Sequence, residues 1–226
     1  MRKFDFYEFT GILTPGVLLL AGLMYLWPGI VAHENLGSIS VGGLGIFTLL
    51  AYVAGHLVQA VGNWIETAWW KAAGGMPTDW IRSGKGKLLA AAQLASVKSN
   101  LQVRLGLSLA NDLSQISPGE WIGITRQIYA AVAGAKRSAR VDTFNGNYGL
   151  HRGLLAAATV LLGASFFSST ATFATTVLTF VVAVVAATRM HLFGKHYARE
   201  LFVQFLQIPA VKASKVKSNG HTKAPD

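Results

Sequence analysis

The sequence predicts an all-α membrane protein with four transmembrane helices and a small helical cytoplasmic module, and three observations lead to this class. Of the 226 residues, 52% are hydrophobic and only 13% are charged, about half the charged share of a soluble domain. Four stretches without Asp, Glu, Lys or Arg approach or exceed the ~20 residues that a helix needs to cross a bilayer. The basic residues all lie on one side of the membrane that these stretches define.

The four predicted spans are 9–27, 41–64, 153–168 and 171–188. The first two make up an amino-terminal part, 1–64, and the last two form a hairpin within 151–189. The third and fourth spans are slightly short, but Arg152 can extend the third because its long side chain reaches the headgroups. A buried globular core is the alternative, and it is disfavoured because four uncharged spans are hard to place in so short a soluble chain.

The distribution of the basic residues predicts the topology. Of the 20 Lys and Arg residues, two precede the first span, eleven lie between the second and third, and seven follow the fourth. The other two connecting segments hold none. Because Lys and Arg accumulate on the cytoplasmic side, we expect a multi-pass protein with both termini in the cytoplasm. A cleaved signal peptide is disfavoured, since Asp5 and Glu8 lie between its basic and its apolar region.

Composition also bounds the partners. The net charge of +10 makes anionic lipid headgroups the first expected partner and nucleic acid a less favoured one, because the charge follows the topology. The absence of cysteine excludes thiol chemistry, cysteine-ligated zinc and iron–sulfur clusters, and no metal or other cofactor is predicted. Basic residues that flank the predicted cytoplasmic helices are candidate contacts to anionic lipid or phosphate. They are Arg82, Lys85, Lys87, Lys136, Arg137 and Arg140.

A helical cytoplasmic segment is predicted for 65–150. The second span should continue as a helix until Gly74, Gly75 and Pro77 end it. Another helix is expected over 87–100, which is rich in Ala and Leu. The segment is long enough for a small domain, but with a thin core of its own.

The clearest helix start in this segment is a capping box. Ser117 is the expected N-cap, Pro118 occupies the first turn, and Glu120 is the reciprocal partner. The helix should run to about Ala135. Turn-forming residues within 140–152 then predict an irregular segment that steers the chain back into the membrane.

Residues 101–109 are ambiguous. Apolar residues alternate there with Gln, Arg, Gly and Ser, which is strand periodicity. No partner strand is visible, and a lone strand cannot satisfy its backbone. Helix or loop is therefore favoured over a strand that pairs with another subunit, and the fold of 101–116 stays open.

A polar stripe marks the end of the second span. His56, Gln59, Asn63 and Glu66 recur at helical spacing and occupy about an 80° arc of one helix face. His56 is the only histidine or charged residue inside a predicted span. Because such a side chain is costly against lipid, the stripe should face protein or water. Interhelical hydrogen bonding is the favoured interpretation, a polar pathway or ligand pocket the second, and metal binding or acid–base catalysis the third.

A second stripe, of small and hydroxyl side chains, runs along the fourth span. It consists of Thr172, Thr176, Thr179, Ala183 and Ala186. Such residues let helices approach closely, so a packing seam is favoured over a pore lining. We also expect homo-oligomerisation, because the polar stripe needs partners and four helices alone enclose little space.

Beyond the fourth span, 190–210 predicts an amphipathic cytoplasmic helix that Pro209 ends. The last segment, 211–226, is polar and basic and is predicted to be disordered.

Three groups of short motifs resemble small uncharacterised bacterial multi-pass inner-membrane proteins. They are Phe4-Asp5-Phe6-Tyr7-Glu8-Phe9 with Pro15-Gly16, then Gly55-His56…Gln59…Gly62-Asn63…Glu66, and Tyr148-Gly149…Arg152-Gly153. The resemblance covers the spans and their edges. Some such proteins belong to phage-defence loci as membrane effectors or sensors. The resemblance therefore implies a prokaryotic inner-membrane location and points to a role in antiviral defence.

The predicted function is that of an oligomeric, channel-like or membrane-perturbing effector or sensor controlled from the cytoplasmic side. A membrane scaffold that recruits a soluble cytoplasmic partner through its basic segments is the second hypothesis. A membrane-embedded enzyme on an amphipathic substrate is the third. The sequence offers no catalytic constellation for it, so no catalytic residue is assigned.

Overall fold

A computed structural model describes residues 6–30, 41–106 and 113–209, which form α-helices joined by short connections. The helices are α1 (Phe6–Leu26), α2 (Val41–Ala72), α3 (Pro77–Ser83), α4 (Ala91–Leu105), α5 (Pro118–Gly134), α6 (Ala139–Ser165) and α7 (Phe173–Leu206). Single 3₁₀ turns occupy Pro28–Ile30, Lys85–Lys87 and Leu113–Gln115. The predicted all-α class is confirmed for this part of the chain.

Within the described ranges, three helical regions are long and apolar enough to cross a membrane: Phe9–Leu26, Gly42–Ser83 and Phe173–Leu206. They overlap the predicted first, second and fourth spans along most of the length of each. The predicted third span, 153–168, is different, because α6 ends at Ser165 and its first half is polar. The crossing of the membrane by α6 therefore stays a prediction.

α1, α2, α6 and α7 form a bundle in which α1 and α6 run in one direction and α2 and α7 in the other. Gly22 of α1 packs against Leu161 of α6. Where α1 ends and α7 begins, the hydroxyls of Ser168 and Thr170 each donate a hydrogen bond of 2.6 Å to the Leu26 carbonyl. These bonds fix the end of the bundle that is predicted to face away from the cytoplasm.

α3, α4 and α5 pack around the carboxy-terminal half of α7, and we call this assembly the module. Trp121 of α5 is fully buried, and its ring stacks on Phe202 of α7 with 5.9 Å between centroids. Its Nε1 donates to the Thr78 carbonyl of α3 at 2.9 Å. Val97 and Leu101 of α4 are buried in the same core. The module is therefore built directly onto a candidate membrane helix.

The predicted amphipathic helix over 190–210 is part of α7 rather than a separate element. α7 continues from the fourth predicted span into the module and ends at Leu206, shortly before Pro209. The predicted end of α2 is also confirmed, since Gly74 and Gly75 follow it with φ angles of 82° and 106°. The disordered tail predicted for 211–226 lies outside the described residues.

The predicted capping box at the start of α5 is confirmed. The Glu120 N–H donates to Ser117 Oγ at 3.3 Å, and the Ser117 N–H donates to the Glu120 carboxylate at 3.1 Å. The Ser117 hydroxyl and, to a smaller extent, its backbone N–H hold the pKa of Glu120 below its ordinary value, because both groups stabilise the carboxylate.

The prediction of an irregular segment over 140–152 is wrong, because this stretch lies inside α6. Val141 and Tyr148 are buried there. The amide of Asn147 donates to the Thr143 carbonyl at 2.9 Å, one turn back in the helix. Tertiary packing thus overrides the local preference of the Asn and Gly residues for turns.

The helix predicted over 87–100 starts later and ends later, as α4. Gly106, at a φ of 63°, follows its last residue. For 101–105 the helical alternative is therefore confirmed, and 107–112 lies outside the described residues.

Candidate functional site

The structure divides the polar stripe of α2 into an inward and an outward half. Gln59 and Glu66 are half-buried, whereas His56 and Asn63 are exposed. The rotation of about 100° per residue explains the split, because it places each of these pairs within about 20° at opposite edges of the arc. The polar stripe therefore faces two different environments.

Arg152 of α6 joins the two inward side chains. Its Nη1 forms a salt bridge with Glu66, and its Nη2 and Nε donate to Gln59 Oε1 at 3.0 and 3.3 Å. The Tyr148 hydroxyl donates to the other oxygen of Glu66 at 2.7 Å and accepts from Trp70 Nε1 at 2.7 Å. We call these five residues the Arg152 cluster, a hydrogen-bonded chain that ties α2 to α6.

Gln59 also compensates for a defect in α1. Pro15 lies inside α1 and has no N–H, so the helix cannot supply a donor to the Gly11 carbonyl four residues earlier. Gln59 Nε2 donates to that carbonyl at 2.9 Å and to the Gly149 carbonyl of α6 at 3.3 Å. A single side-chain amide therefore connects three helices.

Replacing Gln59 with leucine should lower the free energy of unfolding by about 1–3 kcal/mol, since the buried Gly11 carbonyl loses its donor. The change Pro15→Ala returns an N–H to α1. The double variant Pro15→Ala/Gln59→Leu should therefore lose less stability than the two single variants combined. Denaturant unfolding of the four proteins in detergent micelles measures this coupling, and strict additivity would show that Gly11 does not depend on Gln59.

His56 and Asn63 share the outer face of α2 with Ala60 and Thr67. The His56 ring meets Tyr52 edge-on, with 4.7 Å between centroids. The neighbouring Leu44, Leu49, Leu50, Val53, Leu57 and Trp64 are also exposed. Polar side chains thus interrupt an otherwise apolar helix surface.

The Thr/Ala stripe of α7 turns towards the other helices along most of its length. Ala183 and Ala186 are buried, Thr176 and Thr179 are half-buried, and Thr172 is the exposed N-cap. The hydroxyls of Thr176 and Thr179 donate to carbonyls of their own helix at 3.0 and 2.9 Å. This placement is the one expected of a packing seam.

The basic residues predicted to contact anionic groups are not gathered in one place. Arg82 Nη1 donates to the carbonyls of Ser114 and Ile116 at 3.2 and 2.7 Å, so it fastens parts of the module together. Arg140 pairs with Glu200 at 3.6 Å. The exposed members at helix ends and turns are Lys85, Lys87, Lys136 and Arg137.

The roles of Tyr148, Trp70 and Pro15 were not predicted from the sequence. Arg152 was assigned to the end of a span, but its partners were not identified. The signal for Gln59 was available, because a proline inside a span always leaves a carbonyl without its helical donor. In the described ranges, no group of three or more His, Asp or Glu side chains is placed to hold a metal ion.

No family model, curated protein or solved structure matches the chain. Its function is therefore inferred from the placement of its residues.

Proposed function

We propose that the chain is a four-span protein of the prokaryotic inner membrane that assembles into a channel-like, membrane-permeabilising homo-oligomer. The outward placement of His56 and Asn63 on α2 supports this most directly. Polar side chains that face lipid are costly, and no helix of the same copy, in the part that the structure describes, covers these two. A second copy supplies the missing surface, so α2 of each copy lies at the contact and lines a shared polar pathway.

The pathway runs between copies because the helices within one copy are too close. A Cβ added to Gly16 of α1 would lie 1.8 Å from the Ala51 carbonyl oxygen of α2. A Cβ added to Gly55 would lie 2.1 Å from the Ile12 carbonyl oxygen. The inward polar residues pair with one another in the Arg152 cluster, so they offer little surface to a passing ion.

In this proposal α6 also crosses the membrane, as the third of the four spans. Its apolar part, 153–165, is shorter than the ~20 residues of a full crossing, and the long side chain of Arg152 extends it to the headgroups. α6 runs beside α1, from Leu150 next to Gly11 to Leu161 next to Gly22. Arg152 stands at the cytoplasmic end, where its salt bridge with Glu66 shields both charges from lipid.

Control from the cytoplasmic side follows from helix continuity. α7 extends from the membrane into the module, and α2 is joined to α3 of the module by a short glycine turn. A displacement of the module therefore moves two membrane helices. The resemblance to membrane proteins of phage-defence loci supplies the setting, in which a signal of infection opens the oligomer.

Induced expression of the wild-type chain in bacteria should depolarise the inner membrane, and His56→Leu should abolish the depolarisation. Leucine fills a similar volume but offers no polar surface, so insertion and oligomer size should not change. A voltage-sensitive dye measures the first effect, and native mass spectrometry measures the second. Thr188→Leu is the matched control, because Thr188 is exposed on α7 and bonds only its own helix, at Val185.

The oligomer contact has its own test. The chain contains no cysteine, so a single Ala60→Cys variant reports on that position alone. Oxidation should cross-link copies through Ala60→Cys but not through Val184→Cys, which lies on the exposed surface of α7. Loss of the oligomer in His56→Leu would assign His56 to packing, and wild-type depolarisation in that variant would contradict the pathway.

A membrane scaffold is the second candidate, and exposed apolar side chains on the module favour it. Val103 of α4 is 76% exposed and Ile122 of α5 is 52% exposed. A soluble protein that co-purifies with the wild-type chain and is lost in Ile122→Glu, without any depolarisation, would favour this function over the channel.

A further inference from the structure

Aromatic rings form a floor on one side of the α6–α7 pair, near the module. Phe144 of α6 stacks on His196 of α7 with 5.4 Å between centroids. Phe193 lies 5.1 Å from His151. All four rings are half-buried, and we call this surface the His196 face.

Four basic side chains surround the His196 face. They are Arg140, Arg189, Lys195 and Arg199, and the charges of all four act on the His196 ring. The Arg189 guanidinium lies 4.8 Å from the centroid of Phe193, and that of Arg140 lies 5.6 Å from the centroid of Phe144. Glu200 offsets one of these charges, at 3.6 Å from Arg140. The surface is therefore strongly positive with an apolar floor.

Helix geometry places the His196 face at the membrane surface. At a rise of 1.5 Å per residue, His196 lies roughly 35 Å along α7 from Phe173, and the hydrocarbon core is about 30 Å thick. Arg189 lies roughly 10 Å nearer the membrane centre, and its contact with Phe193 directs its guanidinium towards the surface. Aromatic rings concentrate at the same level in membrane proteins.

We infer that the His196 face binds the headgroup of an anionic phospholipid from the cytoplasmic leaflet. Arg189 and Lys195 donate to the phosphate oxygens, and the aromatic floor takes the glycerol and the upper acyl chain. A lipid fits better than free phosphate, because the site lies at the depth of the headgroups and has an apolar floor. Among the basic residues predicted from the sequence to contact lipid, only Arg140 belongs to this site. The inference rests on the proposed topology and not on the proposed permeability.

The test places the full chain in nanodiscs of phosphatidylcholine with a minor fraction of phosphatidylglycerol. After the protein is released from the nanodiscs, native mass spectrometry identifies the lipid that stays bound to it. The wild-type chain should retain phosphatidylglycerol in preference to phosphatidylcholine. Arg189→Gln/Lys195→Gln should lower this preference about thirtyfold, since each basic residue near the surface contributes about fivefold. Lys85→Gln/Lys87→Gln removes the same charge from an exposed turn of the module and should leave the preference unchanged.

Three results would overturn the site. They are the absence of a preference in the wild-type chain, an equal loss in both double variants, and displacement of the retained lipid by inorganic phosphate at equal concentration. A chain that does not enter the nanodisc would overturn the topology and the site together. A lipid preference in a chain that causes no depolarisation in cells would support the site and contradict only the proposed function.

Discussion

Gly16→Ala should lower the free energy of unfolding by about 3 kcal/mol or more, although it adds only one methyl group. The new Cβ would lie 1.8 Å from the Ala51 carbonyl oxygen and 2.7 Å from the Gly55 nitrogen. Both are backbone atoms of α2, so no side-chain rotation relieves the clash, and the helices must separate by well over an ångström. Separation also draws Gln59 away from the Gly11 carbonyl.

Gly55→Ala should have a similar effect from the other helix, since its Cβ would lie 2.1 Å from the Ile12 carbonyl oxygen. The double variant should be little worse than either single one, because the same contact is lost only once. Gly163→Ala is the matched control. Gly163 lies in α6 with nothing within 4 Å of its added Cβ, so this change should be neutral or stabilising by up to about 1 kcal/mol.

Tryptophan fluorescence during detergent-induced unfolding measures the stability of these variants. If Gly16→Ala and Gly163→Ala unfold at the same point, α1 and α2 do not make the backbone contact that the structure has. The pathway would then no longer need to lie between copies, because one copy would have room for it.

The positions of the candidate membrane helices were predictable where the signal is local. α1, α2 and the first part of α7 are marked by uncharged runs, and glycines mark the end of α2. α6 could not be predicted in the same way. Its first half contains polar and turn-forming residues, and burial of Val141 and Tyr148 against other helices holds it in a helix. The turn-forming residues between them hide this packing from the local pattern.

The residues of the polar stripe were predicted from the sequence, but their contacts were not. Helical spacing placed the polar stripe of α2 on one arc, yet it could not show which edge of the arc meets another helix. The salt-bridge partner of Glu66 is Arg152, which lies 86 residues away. A pairing over this separation depends on how the bundle closes, and that information is absent from the local pattern.

The basic residues predicted to contact lipid include one that the structure uses for another contact. Arg82 has the sequence environment of an exposed basic turn, but its guanidinium donates to two backbone carbonyls. Of the four charges around His196, one lies on α6 and one at the end of the hairpin predicted for 151–189. Lys195 and Arg199 lie on the part of α7 that was predicted to be a separate helix. The four charges come together because α6 packs against α7 and because α7 is continuous.

Arg152→Leu should be the second large perturbation, for an electrostatic reason rather than a steric one. Without the guanidinium, Glu66 loses its salt bridge and Gln59 Oε1 loses both of its Arg152 donors. The two charged side chains are only 21% and 18% exposed, so water replaces little of what is lost. We expect the free energy of unfolding to fall by roughly 2–4 kcal/mol, less than for a fully dry ion pair.

The chain offers a matched control on the same helix. Arg140 also pairs with a glutamate, Glu200, but at 3.6 Å and with 71% of its side chain exposed. Arg140→Leu should therefore cost less than about 1 kcal/mol. Both variants remove one arginine from α6, so the difference between them reports on the closer contacts and greater burial of Arg152.

The double variant Glu66→Gln/Arg152→Leu decides what the Arg152 cluster contributes. It removes both charges, so no buried carboxylate is left unpaired, and it should regain part of the stability that Arg152→Leu loses. The Tyr148 hydroxyl keeps an acceptor in the new amide, and the Trp70 bond to Tyr148 is not touched. Chemical unfolding in a neutral detergent compares the variants without competition from charged lipid. Equal losses in Arg152→Leu and Arg140→Leu would mean that water reaches the cluster freely and that the contacts of Arg152 add little to the joining of α2 and α6.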